Sequence, residues 1–147
     1  MIVGLGVDLV ELSRIRRSLE RFGDHFIRKL LHPSELTGMF TPEGAKTMTD
    51  ALLQRMTPFV AARFAAKEAG AKALGTGFAK GLGPRDIRVL SLASGKPAVS
   101  FHGQALTVAD ALGVKTAHLS LSHARESAVA VVILETDGLD RPQREEA

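Results

Sequence analysis

An alanine-rich segment that ends in a glycine turn constrains the fold of this chain more than any other stretch. Residues 63–77 read Arg-Phe-Ala-Ala-Lys-Glu-Ala-Gly-Ala-Lys-Ala-Leu-Gly-Thr-Gly, which predicts a helix that stops at Gly75. Gly70 inside the segment costs about 1 kcal/mol relative to alanine, so tertiary packing must hold the helix. Glu68 and Lys72 are four residues apart, which places both side chains on one helix face.

Two interpretations of this charged face are open. Lys67, Glu68 and Lys72 could form a solvated surface with one intrahelical ion pair, which is common for such a pattern. A carboxylate between lysines, just ahead of a glycine turn, could instead serve a metal ion and a phosphate. The turn is not a Walker loop, because it lacks the Lys-Ser/Thr of that motif and follows a helix. Phosphate contacts would then come from loop amides and lysines.

A second acidic residue lies far upstream in an apolar segment. Asp8 stands between Val7 and Leu9, where a carboxylate is costly to bury unless it is paired or bound to a metal. It could cap a helix that begins near Glu11, or it could be an oxygen ligand of a hard cation. Mg²⁺ takes one or two protein carboxylates and completes its shell with water and substrate phosphates. Asp8 and Glu68 could together form such a site.

Hydrophobic periodicity and turn signals predict strands and helices along the rest of the chain. The helix that contains the alanine-rich block is expected to begin near Pro58 and to end at Leu74. Ser34 is a candidate N-cap, and residues 41–44 read as a turn. The other predicted helices span 11–22, with Gly23 as C-cap, 25–31 and 103–112. The predicted strands span 2–10, interrupted near Gly4 and Gly6, and 87–92, 98–101, 118–123 and 128–134.

Composition narrows the class of protein. The chain has 147 residues, 45% of them hydrophobic and 24% charged, which suits one soluble globular domain. It has no cysteine, which excludes disulfides and thiol nucleophiles and is compatible with a reducing compartment. It has no Trp or Tyr for stacking on bases, and no apolar run approaches the ~20 residues that span a bilayer. We expect a cytoplasmic protein without nucleic-acid or membrane partners.

Basic side chains are concentrated near the start of the chain. The net charge of +3 favours anionic partners without naming one. Arg14, Arg17 and Arg21 recur at three- and four-residue steps on one face of the first predicted helix, and Arg28 follows in the second. These arginines could be a solvated face or a docking surface for an acidic partner. No histidine pair has the spacing of zinc ligands, and His123, at the end of a strand, fits a structural or exposed residue.

Four blocks of sequence together resemble the short, bacterial class of 4′-phosphopantetheinyl transferases, the holo-acyl-carrier-protein synthases. The blocks are Gly-Val-Asp-Leu-Val-Glu-Leu-Ser-Arg at 6–14, the alanine-rich block at 63–77, Gly-Lys-Pro at 95–97 and Leu-Ser-Leu-Ser-His at 119–123. They follow the family's order and approximate spacing. The resemblance extends over residues 1–135, the predicted transferase domain. Residues 136–147 are expected to form a charged, flexible tail.

The resemblance implies an activity and an architecture. The family transfers 4′-phosphopantetheine from coenzyme A to a serine of apo-acyl carrier protein, releases adenosine 3′,5′-bisphosphate and depends on Mg²⁺. This reaction serves fatty acid biosynthesis. The implied fold is α+β, with helices packed on a mainly antiparallel sheet. The implied assembly is a homotrimer that binds coenzyme A at its subunit interfaces.

The resemblance also implies roles for individual residues. Asp8 and Glu68 match the metal ligands, and Glu68 is the candidate for deprotonating the acceptor serine, directly or through a metal-bound water. Lys72 matches the lysine that contacts the phosphates and stabilises the departing bisphosphate. The residues expected to contact or shape the coenzyme site are Lys67, Lys72, Gly75, Gly77 and His123. The residues expected to bind the acidic carrier protein are Arg14, Arg17, Arg21 and Arg28.

A rival interpretation is a non-catalytic module that binds coenzyme A or a nucleotide and holds an acidic partner with its basic helix. It is disfavoured because a pure binder has no need of two acids placed for Mg²⁺.

Overall fold

A long central helix packs on one face of a small antiparallel sheet. The structure, a computed structural model, describes residues 1–36 and 47–138. Its elements are β1 (Ile2–Glu11), α1 (Leu12–Phe22), α2 (Asp24–Leu30), α3 (Asp50–Leu74), β2 (Ile87–Ser91), β3 (Pro97–Phe101), α4 (Gly103–Ala111), β4 (Thr116–His123) and β5 (Ser127–Glu135). The sheet has the order β1-β5-β4 with antiparallel neighbours, and β2 and β3 form a separate hairpin. The expected α+β class with a mainly antiparallel sheet is confirmed.

Helix α3 begins about two turns earlier than its sequence predicts. Thr49 caps the start, because its Oγ1 accepts a hydrogen bond from the Leu52 N–H at 3.2 Å. Pro58 therefore lies inside the helix, and the prediction that it opens the helix is wrong. Burial of residues such as Met56 on the first turns keeps the helix continuous through a proline that removes one backbone hydrogen bond. The predicted end is confirmed, since Gly75 takes the left-handed conformation after Leu74.

Two glycines of β1 allow α3 to lie directly on the sheet. A Cβ atom at Gly6 would lie 1.9 Å from the Ala69 carbonyl oxygen, and one at Gly4 would lie 2.2 Å from that of Ala73. Side chains at either position would therefore push the helix away. The interruption predicted near Gly6 is wrong, because β1 pairs continuously from Gly4 to Glu11, whereas the one predicted near Gly4 corresponds to a register shift between Ile2 and Gly4. The glycines serve close packing rather than a break.

Most other elements agree with their predictions within one or two residues. The hairpin β2–β3 and the pairing of β4 with β5 are confirmed, as is the end of α1 at Gly23. Ser34 instead lies within a short 3₁₀ turn, Pro33–Leu36. The predicted turn at 41–44 and the tail beyond residue 138 lie outside the described residues. Within residues 1–36 and 47–138, no helix combines the length and apolar character that crossing a membrane requires.

The two faces of the sheet differ in burial. One face packs under α3 and buries alternate residues of β5, such as Ala130 and Val132. The opposite face of β1 carries Leu5, Val7 and Leu9, which are 65%, 54% and 70% exposed. Half-buried β-branched residues of β5 continue this outer face, because they pair with β1 in register. The sheet therefore presents an apolar surface on its outer side.

Candidate functional site

The packing of α3 on β1 brings the two predicted acidic residues into one place. Asp8 lies on the α3-facing side of β1, and Lys72 Nζ donates to Asp8 Oδ1 at 3.0 Å and to the Val7 carbonyl oxygen at 2.9 Å. The salt bridge of Lys72 thus crosses to the neighbouring strand, which argues against a merely intrahelical pair with Glu68. Helix α1 starts after Glu11 without a side-chain cap, so Asp8 is not its N-cap.

The pKa of the Glu68 carboxyl depends on burial and on the charges of neighbouring side chains. Burial raises the pKa of this carboxyl above its ordinary value, and the carboxylate of Asp8 raises the pKa further. The cations of Lys72 and Arg14 act in the opposite direction but do not cancel the effect. A half-buried carboxyl whose pKa is raised by burial and by a neighbouring carboxylate lies in an environment that favours an additional positive charge.

The donor set of this site fits a hard cation with few protein ligands. Asp8 and Glu68 supply carboxylate oxygens from two separate elements, β1 and α3. Across residues 1–36 and 47–138, no group of three or more His, Cys, Asp or Glu side chains could hold a metal together. A cation here would therefore take most of its coordination shell from water and substrate oxygens, which is typical of Mg²⁺.

Lys67 lies apart from this site, in the core. Its Nζ donates to Glu35 Oε2 at 2.9 Å and to the carbonyl oxygens of Pro84 at 2.9 Å and Ile87 at 2.5 Å. Those bonds use all three ammonium donors. Burial lowers the pKa of Lys67, and the carboxylate of Glu35 partly opposes this shift. The fully buried side chain of Lys67 has no donor left for a ligand, and the expectation that Lys67 shapes the coenzyme site stays a prediction.

The glycine turn after α3 is open to its surroundings. Gly75 and Gly77 have φ values of 81° and 58°, a left-handed conformation that glycine adopts without strain. A Cβ atom at either position would meet nothing within 4 Å. The Gly77 N–H donates to the Ala71 carbonyl oxygen at 3.2 Å, which closes the helix. Contact of this turn with a coenzyme stays a prediction.

His123 lies apart from Asp8 and Glu68 of the same chain, which together form the acidic cluster. Asp8 pairs with Ala130, whereas His123 pairs with Ala128 on the far side of β5. Two strand spacings and two residues along the sheet separate His123 from Asp8, which amounts to roughly 12 Å. His123 is exposed at the end of β4, and its contact with a coenzyme stays a prediction.

The arginines of α1 form an exposed basic face beside the acidic cluster. Arg14, Arg17 and Arg21 are all exposed. The Arg14 guanidinium lies 5.3 Å from the centroid of the Phe64 ring on α3, and its charge also lowers the pKa of Glu68. The basic face therefore reaches the site from the side of α1.

Arg28 differs from the other predicted docking residues. Its Nε donates to Asp24 Oδ2 at 3.1 Å within α2, and Asp24 is buried. The arginine is therefore tied to its own helix by an ion pair. Its place in a partner surface stays a prediction.

An apolar pocket next to the basic face has no counterpart among the sequence predictions. It has a volume of about 350 Å³ and is lined mainly by the aromatic rings of Phe22, Phe26 and Phe64, with Lys29 and Pro84 at its wall. Phe22 and Phe26 are four residues apart, but they belong to two helices that change direction at Gly23. Only the tertiary contact with α3 adds the third ring, so local periodicity could not reveal the pocket.

Known proteins are similar to this chain in sequence and in fold. Residues 4–132 match the family model described as the 4′-phosphopantetheinyl transferase superfamily. The chain is similar to the holo-[acyl-carrier-protein] synthase of Desulfovibrio desulfuricans, with 50% identity over 92% of this chain and 98% of that protein. It is also similar to that of Halorhodospira halophila, with 48% identity over 92% and 99%.

Solved structures show the same similarity. The holo-[acyl-carrier-protein] synthase of Neisseria meningitidis superposes with a TM-score of 0.74 at 36% identity, covering 92% of this chain and 100% of that one. The enzyme of Bacillus anthracis, solved in complex with CoA (3′,5′-ADP), gives 0.67 at 39% identity over 92% and 98%. That of Helicobacter pylori, in complex with coenzyme A, gives 0.70 at 27% identity over 89% and 99%.

Proposed function

Because the chain belongs to the 4′-phosphopantetheinyl transferase superfamily, and within it to the holo-[acyl-carrier-protein] synthases, we propose that it transfers 4′-phosphopantetheine from coenzyme A to a serine of apo-acyl carrier protein. The observation that carries this proposal is the meeting of Asp8, Glu68 and Lys72 where β1 packs on α3. A non-catalytic module would not need two carboxylates held together beside a half-exposed ammonium.

The chemistry is a displacement at phosphorus. The carrier serine oxygen bonds to the β-phosphorus of coenzyme A, and the bond from that phosphorus to the bridging oxygen breaks. Adenosine 3′,5′-bisphosphate leaves with the electron pair. Glu68 is the proposed acceptor of the serine proton, directly or through a water, because a carboxylate in hydrogen-bond reach of the acceptor hydroxyl can act as a general base.

Lys72 is the proposed phosphate contact. Two of its three donors are directed at Asp8 and the Val7 carbonyl, so one donor remains for a phosphate oxygen. Its side chain is 52% exposed, which leaves room for a ligand to approach. An ammonium held at a fixed position beside the leaving group can stabilise the charge that develops there.

Asp8 and Glu68 are the proposed ligands of Mg²⁺. When bound, the ion supplies electrostatic stabilisation to the phosphates and holds them for in-line displacement. Support comes from the pKa of Glu68, which burial and then the carboxylate of Asp8 raise even beside Lys72 and Arg14. Occupation by a divalent cation would relieve that repulsion.

A homotrimer with the coenzyme between its copies is part of the proposal. The outer face of the sheet exposes Leu5, Val7 and Leu9, and burying such a surface in an assembly is favourable. His123 lies roughly 12 Å from Asp8 of its own chain, so a role for His123 at the coenzyme is easier to reconcile with a site shared by two copies. Gly75 and Gly77 would form the wall of that site next to α3.

The proposed protein partner is an acidic acyl carrier protein. The basic face of Arg14, Arg17 and Arg21 would attract its negative charges and speed encounter. The adjacent apolar pocket, which is lined by Phe22, Phe26 and Phe64, would accept a nonpolar side chain of the same partner. We place the reaction in the cytoplasm and in fatty acid biosynthesis as part of the same proposal.

One assay tests the proposed activity. The protein is incubated with apo-acyl carrier protein and coenzyme A in the presence of Mg²⁺, and the nucleotide products are separated by chromatography. We expect adenosine 3′,5′-bisphosphate to appear in step with loss of apo carrier. Binding of coenzyme A without release of the bisphosphate would favour the non-catalytic module.

A further inference from the structure

A fully buried ion pair lies one residue before Glu68. The side chains of Lys67 and Glu35 are both 0% exposed. Glu35 Oε2 accepts a second bond from the His32 N–H at 2.7 Å, and Oε1 accepts one from the Val89 N–H at 2.8 Å. Together with the two carbonyl bonds of Lys67 described above, these contacts satisfy the charged ends of the pair.

Stability alone is a weak reason for such a pair. Taking two charges out of water is costly, and replacing a buried pair with apolar side chains of similar volume is often neutral or stabilising. A hydrogen-bonded ion pair also constrains the relative orientation of the segments that it joins, because hydrogen bonds weaken steeply when they bend. Apolar contacts lack that directional requirement.

The bonds of this pair fix α3 against three other segments. Lys67 joins the helix to the 3₁₀ turn Pro33–Leu36 through Glu35, to the 3₁₀ turn Pro84–Asp86 through Pro84, and to β2 through Ile87. On another side, the helix backbone lies directly on the glycines of β1. Rotation of α3 about its axis would therefore break directional contacts around Lys67.

A small rotation of α3 about its axis would displace the side chain of Glu68. A side-chain group about 5 Å from the helix axis moves by about 1 Å when the helix turns by roughly 10°. A misplacement of that size can cost on the order of 100-fold in rate. Glu68 is adjacent in sequence and is close enough to β1 for the charge of Asp8 to raise its pKa, so the rotation that Lys67 fixes also sets the distance from Glu68 to Asp8.

We propose that Lys67 and Glu35 are positioning residues, and that their buried pair sets the rotation of α3 that brings Glu68 to Asp8. The proposal rests on the proposed function, because it assigns the pair a role in that reaction. Lys67 acts here through position, since the charges that perturb Glu68 are those of Asp8, Lys72 and Arg14.

The test replaces the pair with apolar side chains of similar volume, Lys67→Met with Glu35→Leu. We expect a folded protein whose kcat falls at least about tenfold, whereas its KM for coenzyme A changes by less than about threefold. We also expect faster hydrogen exchange of the amides in residues 68–74, measured on the isolated protein. A purely structural pair would alter the melting temperature without this split between kcat and KM.

Val60→Ala is the matched control. Val60 is 0% exposed on the same helix and has no polar role, so its truncation should lower the melting temperature and leave kcat per folded molecule within about twofold. If this double variant does not fold, Lys67→Met with Glu35→Gln provides the same comparison, because it also removes both charges but keeps the volume of Glu35 and an acceptor for Val89.

The outcomes separate the two proposals. A folded variant with the wild-type kcat and unchanged hydrogen exchange would overturn the positioning role. If the wild-type protein itself transfers no phosphopantetheine, the proposed function fails, and hydrogen exchange alone then decides whether the pair fixes α3.

Discussion

At the scale of single residues, Lys67 and Lys72 show what a sequence leaves undecided. Both are lysines within one turn of Glu68, and the helical pattern predicts both as candidates for a phosphate site. In the structure, Lys67 is buried against Glu35, whereas Lys72 reaches Asp8 and remains half exposed. The difference depends on how α3 is rotated against the sheet and the hairpin. That rotation is a tertiary property that local spacing cannot encode.

The raised pKa of Glu68 leads to a prediction about stability. Its carboxyl binds a proton more tightly in the folded than in the unfolded state. The free energy of unfolding should therefore decrease as pH rises from about 4.5, the ordinary value, through the raised folded value. Glu68→Gln should remove this loss and raise the melting temperature of the metal-free protein at neutral pH, while transfer falls by at least about 100-fold.

The measurement is thermal unfolding of both proteins across this pH range with divalent metals chelated. Glu20→Gln, an exposed change on α1, is the control for loss of one carboxylate. If the melting temperatures of wild type and Glu68→Gln change in parallel with pH, the pKa of Glu68 is not raised in the folded protein.

At the scale of elements, the close contact between β1 and α3 leads to a prediction about the free energy of unfolding. Gly6→Ala would place a Cβ atom 1.9 Å from the Ala69 carbonyl oxygen, which belongs to helix backbone and cannot turn aside. We expect destabilisation of about 3 kcal/mol or more, at the upper end of overpacking effects. Chemical denaturation would measure the free energy of unfolding.

Gly83→Ala is the matched glycine for this comparison. Gly83 has a φ of −107° and open space around its added Cβ, so alanine should change the free energy of unfolding by no more than about 0.5 kcal/mol. Equal effects of the two substitutions would contradict a backbone-to-backbone contact between β1 and α3.

Elements with strong local signals are the ones that sequence predicts well. Alternation in residues 118–123 is sufficient to predict β4, because strand faces follow a two-residue period. The short apolar run 128–134, rich in β-branched residues, is sufficient to predict β5 as a buried strand. The start of α3 is missed because Pro58 is a stronger local signal than Thr49, although burial of the first turns outweighs the proline. The apolar pocket is missed because its rings come from three helices.

At the scale of the whole molecule, the basic face of α1 should govern encounter with the carrier protein. Arg17→Glu should raise the KM for acyl carrier protein about tenfold at low salt and leave kcat nearly unchanged, because it weakens attraction without touching the acidic cluster. Measuring KM at rising ionic strength checks the cause, since screening should reduce the difference between variant and wild type.

Arg55→Glu is the control for net charge. Arg55 is exposed near the start of α3 and outside the basic face. A similar increase of KM in both variants would mean that overall charge, rather than the face of α1, attracts the carrier.

The outer face of the sheet should govern assembly. Leu9 is 70% exposed on β1, and Leu9→Lys would place a charge in the interface of the proposed homotrimer. We expect sedimentation to show monomers that keep their fold, because this side chain does not pack under α3. Leu90→Lys, at a 39% exposed leucine of the hairpin, should leave the trimer intact. A wild-type protein that sediments as a monomer would contradict the proposed assembly.

The central claim is that Asp8 and Glu68 together enable phosphopantetheinyl transfer. Its most direct test is the intact mass of acyl carrier protein after incubation with coenzyme A, across a titration of Mg²⁺, for wild type and Asp8→Asn. We predict that wild type adds the mass of one phosphopantetheine group in a Mg²⁺-dependent manner. Asp8→Asn should add none at Mg²⁺ concentrations that saturate wild type. Full modification by Asp8→Asn, or by wild type with all divalent metal removed, would contradict the claim.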